Sequence, residues 1–116
     1  MSRPALIGDI GGTNARLALV SPGEVLPHDI LNLPCAEYPG VIEAVQDYLY
    51  RVGATGDNAP KEACLAFACP VHAERVKMTN NHWTFLKSEV QQALNLSLFK
   101  VINDFTAQAL GVPHVA

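Results

Sequence analysis

Two adjacent glycines, set between two short apolar runs near the start of the chain, constrain it more than any other feature. The stretch is Gly8-Asp9-Ile10-Gly11-Gly12-Thr13-Asn14, with Ala5-Leu6-Ile7 before it and Leu17-Ala18-Leu19-Val20 after it. Each run is too short for a helix and suits a buried strand, so the glycines mark a tight turn between strands. Without a Cβ in the way, backbone N–H groups there can come close to an anion. Thr13 and Asn14 add side-chain donors, and Asp9 puts a carboxylate where a cation would sit beside a phosphate. The stretch reads as a nucleotide-phosphate site, with Gly8, Asp9, Ile10, Gly11, Gly12 and Thr13 as its members, built on a β-hairpin.

Two better-known glycine motifs do not fit. A P-loop requires a lysine after its last glycine, and the nearest cation here is Arg16. A dinucleotide fingerprint leads into a helix, whereas residues 15–20 read as a strand. The competing reading is a plain hairpin turn rich in Gly and Asn. An ordinary turn needs neither the Asp before the glycines nor the Thr-Asn after them.

At 116 residues the chain is one domain at most. It is 49% hydrophobic and 16% charged, with a mean hydropathy of +0.14. No apolar run reaches the length of a membrane span, and Met1-Ser2-Arg3-Pro4 carries no signal-peptide pattern, so no membrane partner is expected. An apolar chain of that kind is expected to rest part of its surface on another domain or copy. A net charge of −3 without Lys/Arg clusters argues against nucleic acid. Cys35, Cys64 and Cys69 are odd in number and lack C-x-x-C spacing, which suits reduced thiols and a cytoplasmic location. A zinc site using Cys69 and His72 lacks a second Cys/His pair.

Further along, a third strand is expected around residues 29–33, making an antiparallel meander with the first two. Val41, Ala44, Val45, Tyr48 and Leu49 recur at helical spacing, predicting an amphipathic helix over 41–51. Residues 53–60 form a loop. The apolar run 63–69, ending at Pro70, reads as a strand buried on both faces. Residues 74–78 suit a short strand. Ser88 reads as the N-cap of a helix over 89–94, with Gln91 completing a capping box. Residues 99–103 form the last strand, and a helix follows over about 104–110. The order predicts a mixed sheet flanked by helices, in the α/β class.

Two more constellations carry chemistry. Asn103-Asp104 stands where a buried strand passes into a helix, and the carboxyl ends of such strands open into ligand crevices. A carboxylate there can accept a proton from a hydroxyl, although taken alone the position favours Asp104 as a plain N-cap. Met78-Thr79-Asn80-Asn81-His82-Trp83 is an amide-rich stretch ending in the single tryptophan. Amides and hydroxyls pair with sugar hydroxyls, and an indole offers an apolar face to a sugar or to the core. A surface loop pinned by a buried Trp is the alternative, and His82 reads as structural.

Taken together, these stretches resemble the bacterial glucokinases, in the hexokinase-like branch of the actin/ribonuclease-H-like ATPase superfamily. The resemblance rests on residues 8–19, Ala68-Cys69-Pro70-Val71, Met78-Thr79-Asn80 with Trp83, and Ile102-Asn103-Asp104-Phe105-Thr106-Ala107. It spans nearly the whole chain in the family's order and implies a ribonuclease-H-like domain. It also implies that Gly11, Gly12 and Thr13 contact ATP phosphates, and that Asp9 holds Mg²⁺ through water. Asn103 would bind sugar hydroxyls, Thr79 and Asn80 would shape the sugar pocket, and Asp104 would be the general base. Residues 1–116 would then be the N-terminal small domain, with the large domain beyond them, and glucose and ATP would be the ligands. A fragment of this kind is expected to be inactive alone and to pair with a second copy as a homodimer. A kinase for another hexose or amino sugar is the near alternative. A non-catalytic binding module, such as a repressor's sensor, would be expected to carry a helix-turn-helix ahead of Gly8.

Overall fold

The computed structural model describes residues 3–24, 26–69, 71–78 and 82–103. Strands β1 (Ala5–Ile10), β2 (Asn14–Val20) and β3 (His28–Pro34) form the expected antiparallel meander. Helix α1 (Val41–Arg51) follows, then β4 (Glu62–Phe67), β5 (Arg75–Lys77), β6 (Thr84–Leu86), α2 (Lys87–Ala93) and β7 (Leu98–Asn103). The main sheet runs β3-β2-β1-β4-β7, and β5 pairs with β6 in a separate two-stranded ribbon. β4 lies parallel to β1 and β7 parallel to β4. The carboxyl ends of these three strands therefore share one edge of the sheet.

Alternation decides which sheet face is buried, because successive side chains point to opposite sides. Leu6, Ile10, Ala15, Leu17, Leu19, Leu33, Ala63, Leu65 and Phe67 form the buried face. Val41, Ala44, Val45, Tyr48 and Leu49 of α1 close over them, joined by Val76, Phe85 and Val90. The periodic apolar stripe of α1 is what sets its bounds, and they fall where the spacing predicts. The expectation that β4 is buried on both faces is corrected: Cys64 and Ala66, on its other side, are only partly covered.

The second helix also departs from expectation. Its N-cap is Leu86, and Ser88 lies inside the first turn. Ser88 gives both its backbone N–H and its hydroxyl to the Glu74 carboxylate, at 2.9 and 2.5 Å. A tertiary acceptor thus replaces the local capping box. β6 lies in residues 84–86, to which the sequence reading assigns no element, because three residues are too few to show alternation. The helix expected from Asp104 lies outside the described residues.

Candidate functional site

The turn between β1 and β2 is closed by the Gly11 N–H donating to the Asn14 carbonyl at 2.9 Å. The turn is then fastened to the end of β3: the Cys35 N–H donates to the Thr13 carbonyl at 2.8 Å, and its thiol to the Gly11 carbonyl at 3.7 Å. Cys35 is buried. Sequence reasoning treated Cys35 only as a reduced thiol, since a cysteine's contact with a backbone carbonyl leaves no trace in composition or spacing.

Two glycines of the motif are glycine for different reasons. A Cβ on Gly8 would lie 2.6 Å from Leu17 Cδ2 and 2.8 Å from Leu65 Cδ2. Gly8 is therefore required by packing inside the sheet. Among the described residues, a Cβ on Gly11 would meet nothing nearer than the Asn14 carbonyl oxygen, at an ordinary 3.7 Å. Gly11 also has no positive φ. Among the described residues, neither backbone conformation nor packing calls for a glycine there.

Asp9 lies on the sheet face opposite the core, exposed, and in register with Arg16 on β2 and Ala66 on β4. It lines a shallow hollow of about 190 Å³ with Arg16 and Ile30. A carboxylate oxygen there is the hard donor that a magnesium ion accepts.

Across the same sheet edge, Ile10, Phe67 and Asn103 stand in one row of the register. With strands about 4.8 Å apart, the end of β1 and Asn103 are separated by roughly 10 Å. The Asn103 amide donates to the Cys69 carbonyl at 2.6 Å, tying the exits of β7 and β4 together. The Ala68 N–H donates to the Ile10 carbonyl at 3.3 Å, tying β4 to the end of β1. The glycine turn and Asn103 are thus brought to one edge through cross-linked strand ends. Asp104, Thr79 and Asn80 lie outside the described residues.

The flanks of the 79–81 segment are described. The Met78 N–H donates to the Trp83 carbonyl at 3.0 Å, closing the end of the β5–β6 ribbon. Trp83 is only 1% exposed, so its indole packs into the core. Its Nε1–H donates to the Tyr38 carbonyl at 3.1 Å, and His82 Nε2–H donates to that same oxygen at 2.7 Å. Tyr38 was not singled out from sequence, because its role is carried by a main-chain oxygen. Its phenol donates to the Asp47 carboxylate at 2.5 Å, and Arg51 Nε adds a second donor at 2.9 Å. The Tyr38 hydrogen bond, followed by Arg51, holds the Asp47 carboxyl below its usual range.

A meander of three antiparallel strands continued by two parallel ones, with a glycine turn and an asparagine at one edge, defines a ribonuclease-H-like domain of the actin-like ATPase type. Comparison with known proteins agrees and narrows it. The glucokinase family model matches residues 6–116, and the chain belongs to the glucokinase family. It is 65% identical over its whole length to the glucokinase of Chromohalobacter salexigens and 54% identical over 97% of it to that of Hahella chejuensis. It spans 35% and 34% of those two proteins, about a third of their length. Among solved structures, a glucokinase from an Antarctic psychrotroph matches all of the chain with a TM-score of 0.85 at 36% identity, the chain covering 37% of it.

Proposed function

We propose that residues 1–116 form the small domain of an ATP-dependent glucose kinase, which makes glucose 6-phosphate when joined to a large domain. Gly11 carries the reading. It is a glycine that packing among the described residues does not require, in a turn beside the sheet edge, and a backbone without a Cβ there suits the close approach of phosphate oxygens. In this reading Gly11, Gly12 and Thr13 cradle the ATP phosphates, and Asp9 and Ile10 place that turn. Gly8 contributes by letting β1 pack closely against Leu17 and Leu65. Asp9 would hold Mg²⁺ through water. When bound, that ion neutralises phosphate charge, which is most of what phosphoryl transfer requires of its surroundings.

On the sugar side, Asn103 orients hydroxyls while its amide is braced on Cys69, and Thr79 and Asn80 shape the pocket. Asp104 accepts the proton of the sugar hydroxyl as that oxygen attacks the γ-phosphorus, with ADP leaving. Three free thiols and the absence, among the described residues, of any helix able to cross a membrane support a cytoplasmic enzyme. The test is Asp104→Asn in the full-length protein. Loss of a general base costs roughly 10²–10⁴-fold in turnover. A variant that folds and keeps more than about a tenth of its turnover would remove Asp104 from that role.

A further inference from the structure

We propose that Ser21, His28 and Asp29 form a second reactive site, in which Ser21 is a nucleophile toward small acyl donors carrying a good leaving group. The His28 ring joins the other two. Ser21 Oγ lies 2.7 Å from its Nε2, and Asp29 Oδ2 lies 2.8 Å from its Nδ1. A carboxylate can only accept, so Nδ1 carries the proton and donates to Asp29. In the neutral ring Nε2 is then bare, and the Ser21 hydroxyl donates to it. Hydroxyl, imidazole and carboxylate are thus joined through the nitrogens that general-base activation of a serine requires.

The backbone brings these side chains together. Leu17 pairs with Leu31 and Leu19 with His28, so Asp29 and Ile30 both stand opposite Ala18 in a β-bulge. Bulges re-aim the side chains they carry. Asp29 has a φ of +53°, a left-handed conformation uncommon outside glycine. It is held there from the core side, where the wholly buried Tyr48 of α1 donates its phenol to the Asp29 carbonyl at 2.8 Å. At the end of β2 the Ser21 carbonyl accepts the Glu24 N–H at 3.0 Å, which turns the chain there. Strained backbone that its surroundings pin in place gathers where residues are set for chemistry.

The His28 and Asp29 side chains are 39% and 51% exposed, so a reagent reaches them from solvent and is selected by its leaving group rather than its shape. In the step, Ser21 Oγ bonds to the acyl carbon and its proton passes to His28 Nε2. The bond from that carbon to the leaving oxygen breaks, and the oxygen keeps the electron pair. The acyl group stays on Ser21 as an ester.

The probe is p-nitrophenyl acetate, applied to the full-length protein and read by mass-spectrometric peptide mapping. Ser97 is the internal reference, since it is exposed and its hydroxyl donates to the Lys61 carbonyl, which is no base. Ser21 should be acetylated about 100-fold faster than Ser97, the lower end of what a positioned base supplies. His28→Gln should bring the two rates together. Asp29 is a positioning residue, and nitrogen NMR shifts of the His28 ring should show the Nδ1–H tautomer in the parent. Asp29→Asn, an exchange that left-handed backbone tolerates, can face Nδ1 with either an oxygen or an N–H. The Nε2–H tautomer should then appear and acetylation should slow. Kinase activity should be unchanged in both variants, since neither residue stands in the proposed kinase site, and so reports that each folds. Equal labelling of Ser21 and Ser97, acetylation of Ser21 unchanged in either variant, or a parent ring protonated at Nε2 alone would overturn the proposal.

Discussion

Gly8 and Gly11 share one motif and predict opposite outcomes on substitution. Gly8→Ala pushes a methyl against Leu17 and Leu65, both fully buried, and against the Arg16 carbonyl 3.3 Å away. Overpacking of this kind costs about 1–3 kcal/mol, so the melting temperature should fall. Among the described residues Gly11→Ala meets ordinary contact, and its stability should stay within about 0.5 kcal/mol of the parent. If the proposed phosphate reading holds, its ATP affinity should drop all the same, because the new methyl would occupy the space where phosphate approaches. Thermal melts together with nucleotide titrations of the full-length protein check both halves, and unchanged ATP binding in Gly11→Ala would contradict the phosphate reading. At this scale the sequence was legible in position: Gly11 and Gly12 fall in the turn between β1 and β2, and Asn103 ends β7. It was silent at Tyr38, and at Cys35 beyond its reduced thiol, because both act through main-chain atoms or contacts that only the fold creates.

Among the elements, α1 was legible to the residue because its apolar stripe is regular and the chain enters it extended at Gly40. α2 was not, because Ser88 has a distant acceptor better than any local one. That acceptor and Asp47 make a pH prediction. Hydrogen bonds from the Ser88 side chain and backbone hold Glu74 below its usual range, and the Tyr38 hydrogen bond with Arg51 does the same for Asp47. A carboxylate depressed in the folded state adds stability that is complete above its unfolded value, about pH 4. That stability is lost as pH falls through the lower folded value. The double variant Asp47→Asn, Glu74→Gln should therefore melt below the parent at neutral pH, and the two curves should converge as the solution is acidified below pH ~4. Curves that stay parallel across the range would show that neither carboxylate contributes through its charge.

For the whole molecule, the informative surface is the sheet face opposite the core. Ile7, Cys64, Ala66 and Ile102 are only partly covered there, and Ile30 and Leu98 are 44% and 48% exposed. Burial pushes the Cys64 thiol up, so it stays protonated and adds to the apolar character. A polypeptide of these 116 residues alone is expected to self-associate through this face, as a homodimer, and light scattering over a concentration series would show it. Because the chain spans about a third of its relatives, such a polypeptide should not phosphorylate glucose detectably. A strictly monomeric species, or measurable kinase activity, would count against these two expectations respectively. The parallel arrangement of β1, β4 and β7 was inferable only in outline, since which strands become neighbours depends on long-range pairing that local patterns do not encode.

That pairing has a consequence in time. The glycine turn is synthesised first and its hairpin can close at once, yet the edge it belongs to does not exist until Leu6 has found Ala63 and Glu62 has found Leu98. Joins between such distant parts of a chain are the slow ones, since the entropy of the intervening loop is lost before any contact is gained. A nascent chain that has emerged only as far as β4 holds a finished glycine turn and no Asn103 beside it. The glycine turn and Asn103 would come to share one sheet edge only late, with the docking of β7.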